Sequence, residues 1–435
     1  MSLNVAIVGS GPAGFYTAEA LLKGEGAEVR IDIIDRLAAP FGLIRAGVAP
    51  DHQTTKRVAE AFERTALRDE VRYFGNVEVG GKVSLDELRE IYDAVVLAVG
   101  APFDHAMNIP GEDKRGVYGS AAFVGWYNGH PDLMSLDPDL DTEAVAVIGV
   151  GNVAIDVARV LVKTPQEMTS ADLPDHAARA IQAAPITDVY VIGRRGPVEA
   201  KFTNVELREM GKLETCDPVV DPAQLPDTIG DGLDDRDARL KARNLETLHE
   251  FAERGPGQKA KRVHFVFYAS PVEVLGGDRV EGLRLERTRL EDGRAVGTGD
   301  YFEIDCGLVV PSIGYRSVAV EGAPFDERAC IVPNDDGRVA EGLYAVGWIK
   351  RGPSGVIASN RPDGVAVAAH IRADLGAGAK PGREALEKLL AERQVRVVSY
   401  ADWQKIDAAE VAAATPPAPR RKFVTLKDML AVLDG

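Results

Sequence analysis

A glycine-rich turn that follows an apolar strand and opens a helix constrains this chain most strongly, and it occurs twice. Residues 3–8 (LNVAIV) lead into Gly9-Ser-Gly11-Pro-Ala13-Gly14, then the helical pattern FYTAEALLKG, then a second apolar run at residues 30–34 (RIDII) that ends on Asp35. Strand, glycine turn, helix, strand and acid is the order of a dinucleotide-binding βαβ unit. The first glycine permits the tight turn, the second lets backbone approach a pyrophosphate, and the third lets helix pack on strand. Asp35 follows Gly14 by about 20 residues, the spacing of a carboxylate that bonds a ribose 2′-hydroxyl.

The second copy runs from residues 144–148 (AVAVI) into Gly149-Val150-Gly151-Asn152-Val153-Ala154 and the helical pattern IDVARVLV. After an insertion with helical patterning, a strand at residues 188–192 (DVYVI) ends in Gly193-Arg194-Arg195. Two arginines stand where the first copy has its acid. A carboxylate repels a 2′-phosphate, whereas a guanidinium binds one in bidentate fashion, so this site reads as built for NADP. Two fingerprints imply two dinucleotides. FAD in the first and NADP in the second is the economical pairing, because a flavin takes hydride from a nicotinamide held against it.

The remaining segments fit a first domain interrupted by a second. Residues 92–100 (YDAVVLAVG) should complete the first sheet and residues 306–314 (CGLVVPSIG) the second. Residues 343–348 (LYAVGW) read as another strand, followed by a helical run over about residues 363–371. The expected fold class is therefore α/β, with two dinucleotide-binding, Rossmann-like domains. The NADP domain (106–317) is inserted into a discontinuous FAD domain (1–105 and 318–435). Residues 225–237 read as an acidic loop before a helix bearing Arg239, Lys241 and Arg243. The Pro-rich residues 415–419 precede an amphipathic piece, VTLKDMLAVL.

Composition narrows the function classes. With 51 Lys+Arg against 67 Asp+Glu, the formal charge of −16 disfavours wrapping nucleic acid. The three cysteines, Cys216, Cys306 and Cys330, form no Cys-x-x-Cys pair, which excludes a thioredoxin-type redox centre and a chain-borne iron–sulfur cluster. They read as buried thiols in a reducing compartment. No apolar run reaches the ~18–20 residues of a membrane helix, and the expected location is the cytoplasm. The histidines show no metal-ligand spacing, and no metal is expected.

Residues 40–52 (PFGLIRAGVAPDH) follow the ribose acid and read as a functional loop. Leu43 and Val48 are placed to pack on a flavin ring, with Asp51 and His52 toward substrate. Together with GSGPAG, FVGWYNGHP, GVGNVAIDVAR, GRRGPxxAxFTxxELREM and GWIKRGPSGVI, in that order along the chain, this segment resembles the adrenodoxin-reductase-type ferredoxin–NADP reductases. The likeness spans about residues 4–360 and extends to ADWQKIDAAE in the tail.

The resemblance implies that FAD is contacted by Ala13, Asp35, Leu43, Val79, Trp348, Gly355, Val356 and Ile357, beside Gly9, Gly11 and Gly14 of the turn. It implies NADP contacts at Val150, Gly151, Asn152, Val153, Arg194, Arg195 and Glu206, with Gly355 touching the nicotinamide end. His52 and Glu209 become candidate catalytic groups at the nicotinamide. Two departures stand out: Asp35 replaces the family's usual Glu, and Gly347-Trp348 replaces the Gly-Asp of many related flavoproteins. The implied reaction passes hydride from NADPH to flavin N5, then single electrons to an iron–sulfur protein. The expected partner is an acidic ferredoxin, docking near Lys350, Arg351, Arg239 or Arg243. The alternative is a flavoprotein subunit of a larger complex, like that of glutamate synthase.

Overall fold

The computed structural model describes residues 2–230, 232–255, 257–376 and 378–435. They divide into two compact units. The first comprises Met1–Phe103, Asn128–Pro131 and Tyr315–Gly435, and the second Asp104–Tyr127 and Asp132–Gly314. The return of Asn128–Pro131 to the first unit is a feature that the uninterrupted stretch 106–317 did not include.

The first unit is built on a six-stranded sheet. Its order is Arg338–Ala340, Leu343–Ala345, Ala94–Leu97, Leu3–Val8, Val29–Ile34, Val71–Phe74. All neighbouring pairs are parallel except the first. Every residue of Leu3–Val8 and of Ala94–Leu97 is buried, which is why these strands read as unbroken apolar runs rather than alternating ones. The Pro12–Lys23 helix that leaves the first glycine turn packs on the Asn360–Asp374 helix. A Cβ at Gly364 would stand 2.8 Å from the Thr17 backbone nitrogen, so only glycine lets these two helices approach.

The second unit carries a five-stranded sheet, Leu308–Pro311, Ala144–Ile148, Asp188–Ile192, Lys261–Val266, Cys216–Val220. Its pairings are all parallel. The Asn152–Val162 helix buries Ile155, Val157, Ala158, Leu161 and Val162 against it. A three-stranded antiparallel sheet, Ala269–Leu275, Gly282–Glu291 and Arg294–Asp305, completes the unit. Both sheets place their glycine turns at the carboxyl ends of parallel strands, where open α/β sheets bind ligands.

Three expectations are corrected. Residues 40–52 are not all loop, because Leu43–Ala46 makes a helical turn. The strand expected over residues 343–348 stops at Ala345, and Trp348 begins the short Trp348–Arg351 helix. Cys216 and Cys306 are buried as expected, but Cys330 is only partly so.

Candidate functional site

The two glycine turns are geometric twins. Gly9 has φ +114° and Gly149 φ +135°, backbone that side chains rarely adopt. A Cβ at Gly9 would lie 2.4 Å from the Ala98 carbonyl oxygen, and one at Gly149 2.2 Å from that of Ser312. Each first glycine is thus hemmed in by the chain leaving the adjacent strand. The middle glycines behave oppositely: a Cβ on Gly11 or Gly151 would meet nothing within 4 Å. These two positions face open space at the N-termini of Pro12–Lys23 and Asn152–Val162. Unpaired N–H groups and the positive end of the helix dipole favour an anion there, so both cradles fit a pyrophosphate. A Cβ at Gly14 would fall 2.1 Å from the Gly9 carbonyl oxygen, whereas its counterpart Ala154 is accommodated and buried.

The first unit gathers the residues expected at FAD. Asp35 follows the Val29–Ile34 strand, and its carboxylate faces back to the turn. Oδ2 accepts from the Ser10 N–H (2.8 Å) and hydroxyl (2.5 Å), and Oδ1 from the Leu37 N–H (2.9 Å). Three of a carboxylate's roughly four lone-pair positions are therefore used by the protein. Gly347, at φ +74°, would place a Cβ 2.6 Å from that of Ala13, which brings the Trp348 turn onto the first helix. The Trp348 indole N–H donates to the Ser354 carbonyl (3.1 Å), closing a turn that Gly355 follows at φ +82°. Val356 is 60% and Leu43 41% exposed, apolar surface that a ring system would cover. Gly42 lies against Gly11, since its Cβ would be 3.1 Å from the Gly11 Cα. Val79 sits partly buried against the core cluster that includes Val8 and Ile34. Ile357 opens the Ile357–Ser359 turn. His52 precedes the short Gln53–Lys56 helix of this unit.

The second unit gathers the residues expected at NADP. Val150 to Val153 form the turn, and Asn152 Oδ1 accepts from the Thr203 N–H (2.8 Å), tying the turn to the Asn204–Met210 helix of Glu206 and Glu209. Arg194 is exposed and Arg195 partly so. Their carbonyls are pinned, Arg194's by the Thr288 hydroxyl (2.7 Å) and Arg195's by the Tyr268 N–H (3.2 Å). Among the described residues no carboxylate pairs with either guanidinium. Sequence reasoning missed Arg159, whose side chain is 0% exposed although it sits in an apolar helix. Its guanidinium lies 2.8 Å from Asp156, 3.4 Å from Glu206 and 3.6 Å from Glu209. It also missed Ser10, the partner of Asp35.

The docking cations need correction. Lys350 pairs with Asp336 (2.9 Å) and Asp363 (3.4 Å), and Arg351 with Asp363 (3.0 Å). Their side chains are turned inward and offer no free positive face. Arg239 and Arg243, on the Asp235–Arg254 helix, are exposed and make no ion pair among the described residues. Lys241 is committed to the Val198 carbonyl. No helix of the described residues is long and apolar enough to cross a membrane.

Residues 3–196 match the family model described as pyridine nucleotide-disulphide oxidoreductase. The mitochondrial NADPH:adrenodoxin oxidoreductase of Arabidopsis thaliana is 43% identical over 460 residues, which cover 99% of this chain and 95% of that protein. The NADPH-ferredoxin reductase FprA of Mycobacterium tuberculosis is 42% identical over 454 residues, covering 98% of each. The solved structure of Mycobacterium tuberculosis FprA in complex with NADPH superposes with a TM-score of 0.93 at 40% identity, over 100% of both chains. On this likeness across its full length, the chain belongs to the family of the NADPH:adrenodoxin oxidoreductases and NADPH-ferredoxin reductases.

Proposed function

We propose that this chain is an FAD-dependent NADPH:ferredoxin oxidoreductase. The observation that carries the reading is the pair of twin cradles whose next strand ends bear opposite charge, Asp35 in one and Arg194 with Arg195 in the other. A carboxylate suits ribose hydroxyls, and two unpaired guanidiniums suit a 2′-phosphate. FAD is accordingly assigned to the first unit (Met1–Phe103, Asn128–Pro131 and Tyr315–Gly435) and NADP to the second (Asp104–Tyr127 and Asp132–Gly314). When bound, FAD would supply the chemistry that links two-electron hydride transfer from NADPH to single-electron transfer to an iron–sulfur partner.

The protein's own part is binding and orientation. Gly11 and Gly151 admit the pyrophosphates to bare N–H groups, while Leu43, Val356 and Ile357 cover the flavin against water. Val79, Trp348 and the Gly355 turn complete the FAD contacts. Val150, Asn152 and Val153 complete those to NADP, and Glu206 bonds its ribose end. His52 and Glu209 serve as polar groups at the nicotinamide, with Arg159 fixing the direction of Glu209. The partner is a small acidic ferredoxin that docks on Arg239 and Arg243. Support comes from their lack of carboxylate partners, in contrast to Lys350 and Arg351. We place the protein in the cytoplasm, a reducing compartment in keeping with its free cysteines.

The test is a yellow purified protein titrated with NADPH without oxygen. Its flavin absorbance should bleach, and it should then reduce cytochrome c only when ferredoxin is added. Equal cytochrome c reduction with and without ferredoxin would remove the ferredoxin from the reading. A colourless protein that takes up no FAD would remove the reading altogether.

A further inference from the structure

Residues 40–52 cross the first glycine turn in a conformation that the loop does not choose for itself. Phe41 has φ +82°, a left-handed backbone that a bulky aromatic residue strongly disfavours, and Gly42 follows at φ +51°. Such strain persists only where the surroundings over-determine it. Part of the restraint is local. The Phe41 N–H donates to the Ser10 carbonyl (3.0 Å), and its ring centroid lies 5.5 Å from that of Phe15.

The rest comes from the far end of the chain. Trp403, on the Tyr400–Ala412 helix, meets Phe41 edge-on at 6.3 Å, and the Arg45 guanidinium lies over the Trp403 ring at 5.1 Å. Glu410 holds Arg45 through two bonds, of 2.9 and 2.5 Å, and also accepts from the Phe423 N–H (2.8 Å). Its carboxylate is wholly buried, and Arg420 approaches it at 3.4 Å. Lys422 is buried too, and its ammonium donates to the carbonyls of Arg45 and Asn128, each at 3.1 Å. Residues 400–423 therefore grip the loop at the Phe41 ring, the Arg45 guanidinium and the Arg45 carbonyl. Charges this deep are poor stabilisers, because desolvation opposes their attraction and an apolar cluster would hold as well. What they add over an apolar cluster is a fixed geometry.

We propose that the C-terminal segment is a clasp, and that Arg45, Glu410 and Lys422 are positioning residues for the flavin. Through the Arg45 main chain and side chain they keep Leu43 and the Phe41–Gly42 bend against the glycine turn. The inference rests on the reading that FAD occupies the first cradle.

The parent protein is compared with Lys422→Met, with the isosteric Glu410→Gln, and with Arg396→Ala. The last breaks a surface pair with Asp434, both residues flanking the clasp segment. FAD affinity is read by flavin fluorescence on the stripped proteins, and flavin environment by visible circular dichroism of the loaded ones. Lys422→Met and Glu410→Gln should raise the FAD dissociation constant by at least about tenfold and alter the dichroism, as expected for lost charge-assisted bonds. Arg396→Ala should change neither. Should Lys422→Met not fold, Glu410→Gln carries the same comparison. Unchanged affinity and dichroism would overturn the clasp, whatever happens to the unfolding midpoint. Equal weakening by Arg396→Ala would overturn it as well, since tail destabilisation alone would then explain the loss. A parent that binds no FAD would instead refute the flavoprotein reading, whereas a parent and variants that bind it alike would refute only the clasp.

Discussion

On the proposed assignment, replacing Arg194 and Arg195 together with glutamine should remove the charge that distinguishes NADPH from NADH. Their carbonyls are held by Thr288 and Tyr268, and glutamine keeps those backbone bonds. Neither guanidinium answers a carboxylate among the described residues, so the change orphans no charge, and the Tm should move by less than about 2 °C. A charge-assisted bond to phosphate contributes about 1.5–3 kcal/mol. At about 1.4 kcal/mol per tenfold, each arginine accounts for roughly ten- to a hundredfold in preference. Arg194 is the more exposed and belongs at the lower end of that range, because water screens it. The pair together should lower kcat/KM for NADPH by about 100-fold or more and leave NADH within about twofold. Steady-state reduction of ferricyanide measures both cofactors without a protein partner. Flavin content should stay normal, since Asp35 and the first turn belong to the other βαβ unit. A double variant that still prefers NADPH as strongly as its parent would show that the arginines do not read the 2′-phosphate.

Gly11→Ala should fold normally, because its backbone (φ −77°) suits alanine and its Cβ meets no protein atom, yet it should weaken FAD at least about tenfold by intruding on the pyrophosphate. Flavin retained at parental affinity would mean that the open side of the turn is not the phosphate side. Arg243→Glu should raise the ferredoxin KM several-fold, most at low salt, with ferricyanide reduction intact; an equal loss of both activities would discard the docking face. Burial pushes the Cys216 and Cys306 thiols up to about 12, so at pH 8 a maleimide should label Cys330 first and the other two only on unfolding, as peptide mapping would show. Burial works to raise the Glu410 carboxyl, but the Arg45 charge and bonds outweigh it and hold it below the usual value. That stabilisation is complete above about pH 4.3 and is lost as pH falls toward the folded value. The parent should therefore lose stability on acidification more steeply than Glu410→Gln, and parallel acid titrations would expose the error.

What could be read in advance follows how local its cause is. The strands Leu3–Val8, Ala144–Ile148 and Asp188–Ile192 were legible to the residue, because each is a largely apolar run closed by glycine, the first two buried on both faces and the third keeping Asp188 and Tyr190 partly exposed. The glycine turns were legible because their steric demand falls on residues a few positions apart. Partners far along the chain leave no such trace. Lys350 and Arg351 read as surface cations because Asp336 and Asp363 lie a dozen or more residues away. Arg45 and Glu410 are 365 positions apart, and no spacing announces their pairing. Arg159 interrupts an apolar helix as a solvent-facing residue would, and only the fold shows three carboxylates gathered on it. The helical turn Leu43–Ala46 escaped notice because four residues are too few to display a helical period.

The twin cradles also bear on where binding energy for FAD must come from. Their backbone does not tell one dinucleotide from the other: the same forced first glycine and the same open second glycine appear in both. Discrimination falls to the following strand end, and there the two sites are unequal. Arg194 and Arg195 keep their donors available for a ligand, while Asp35 spends three of its roughly four lone-pair positions on Ser10 and Leu37. On the proposed assignment a ribose hydroxyl can then donate about one bond to Asp35, contributing about 1.5–3 kcal/mol, too little to hold a flavin tightly. The remainder has to come from the helix N-terminus and from apolar cover over the rings. On the proposed assignment that cover includes Leu43, so the loop bearing it would gain from a restraint by residues 400–423 that NADP, bound through Arg194 and Arg195, would not need.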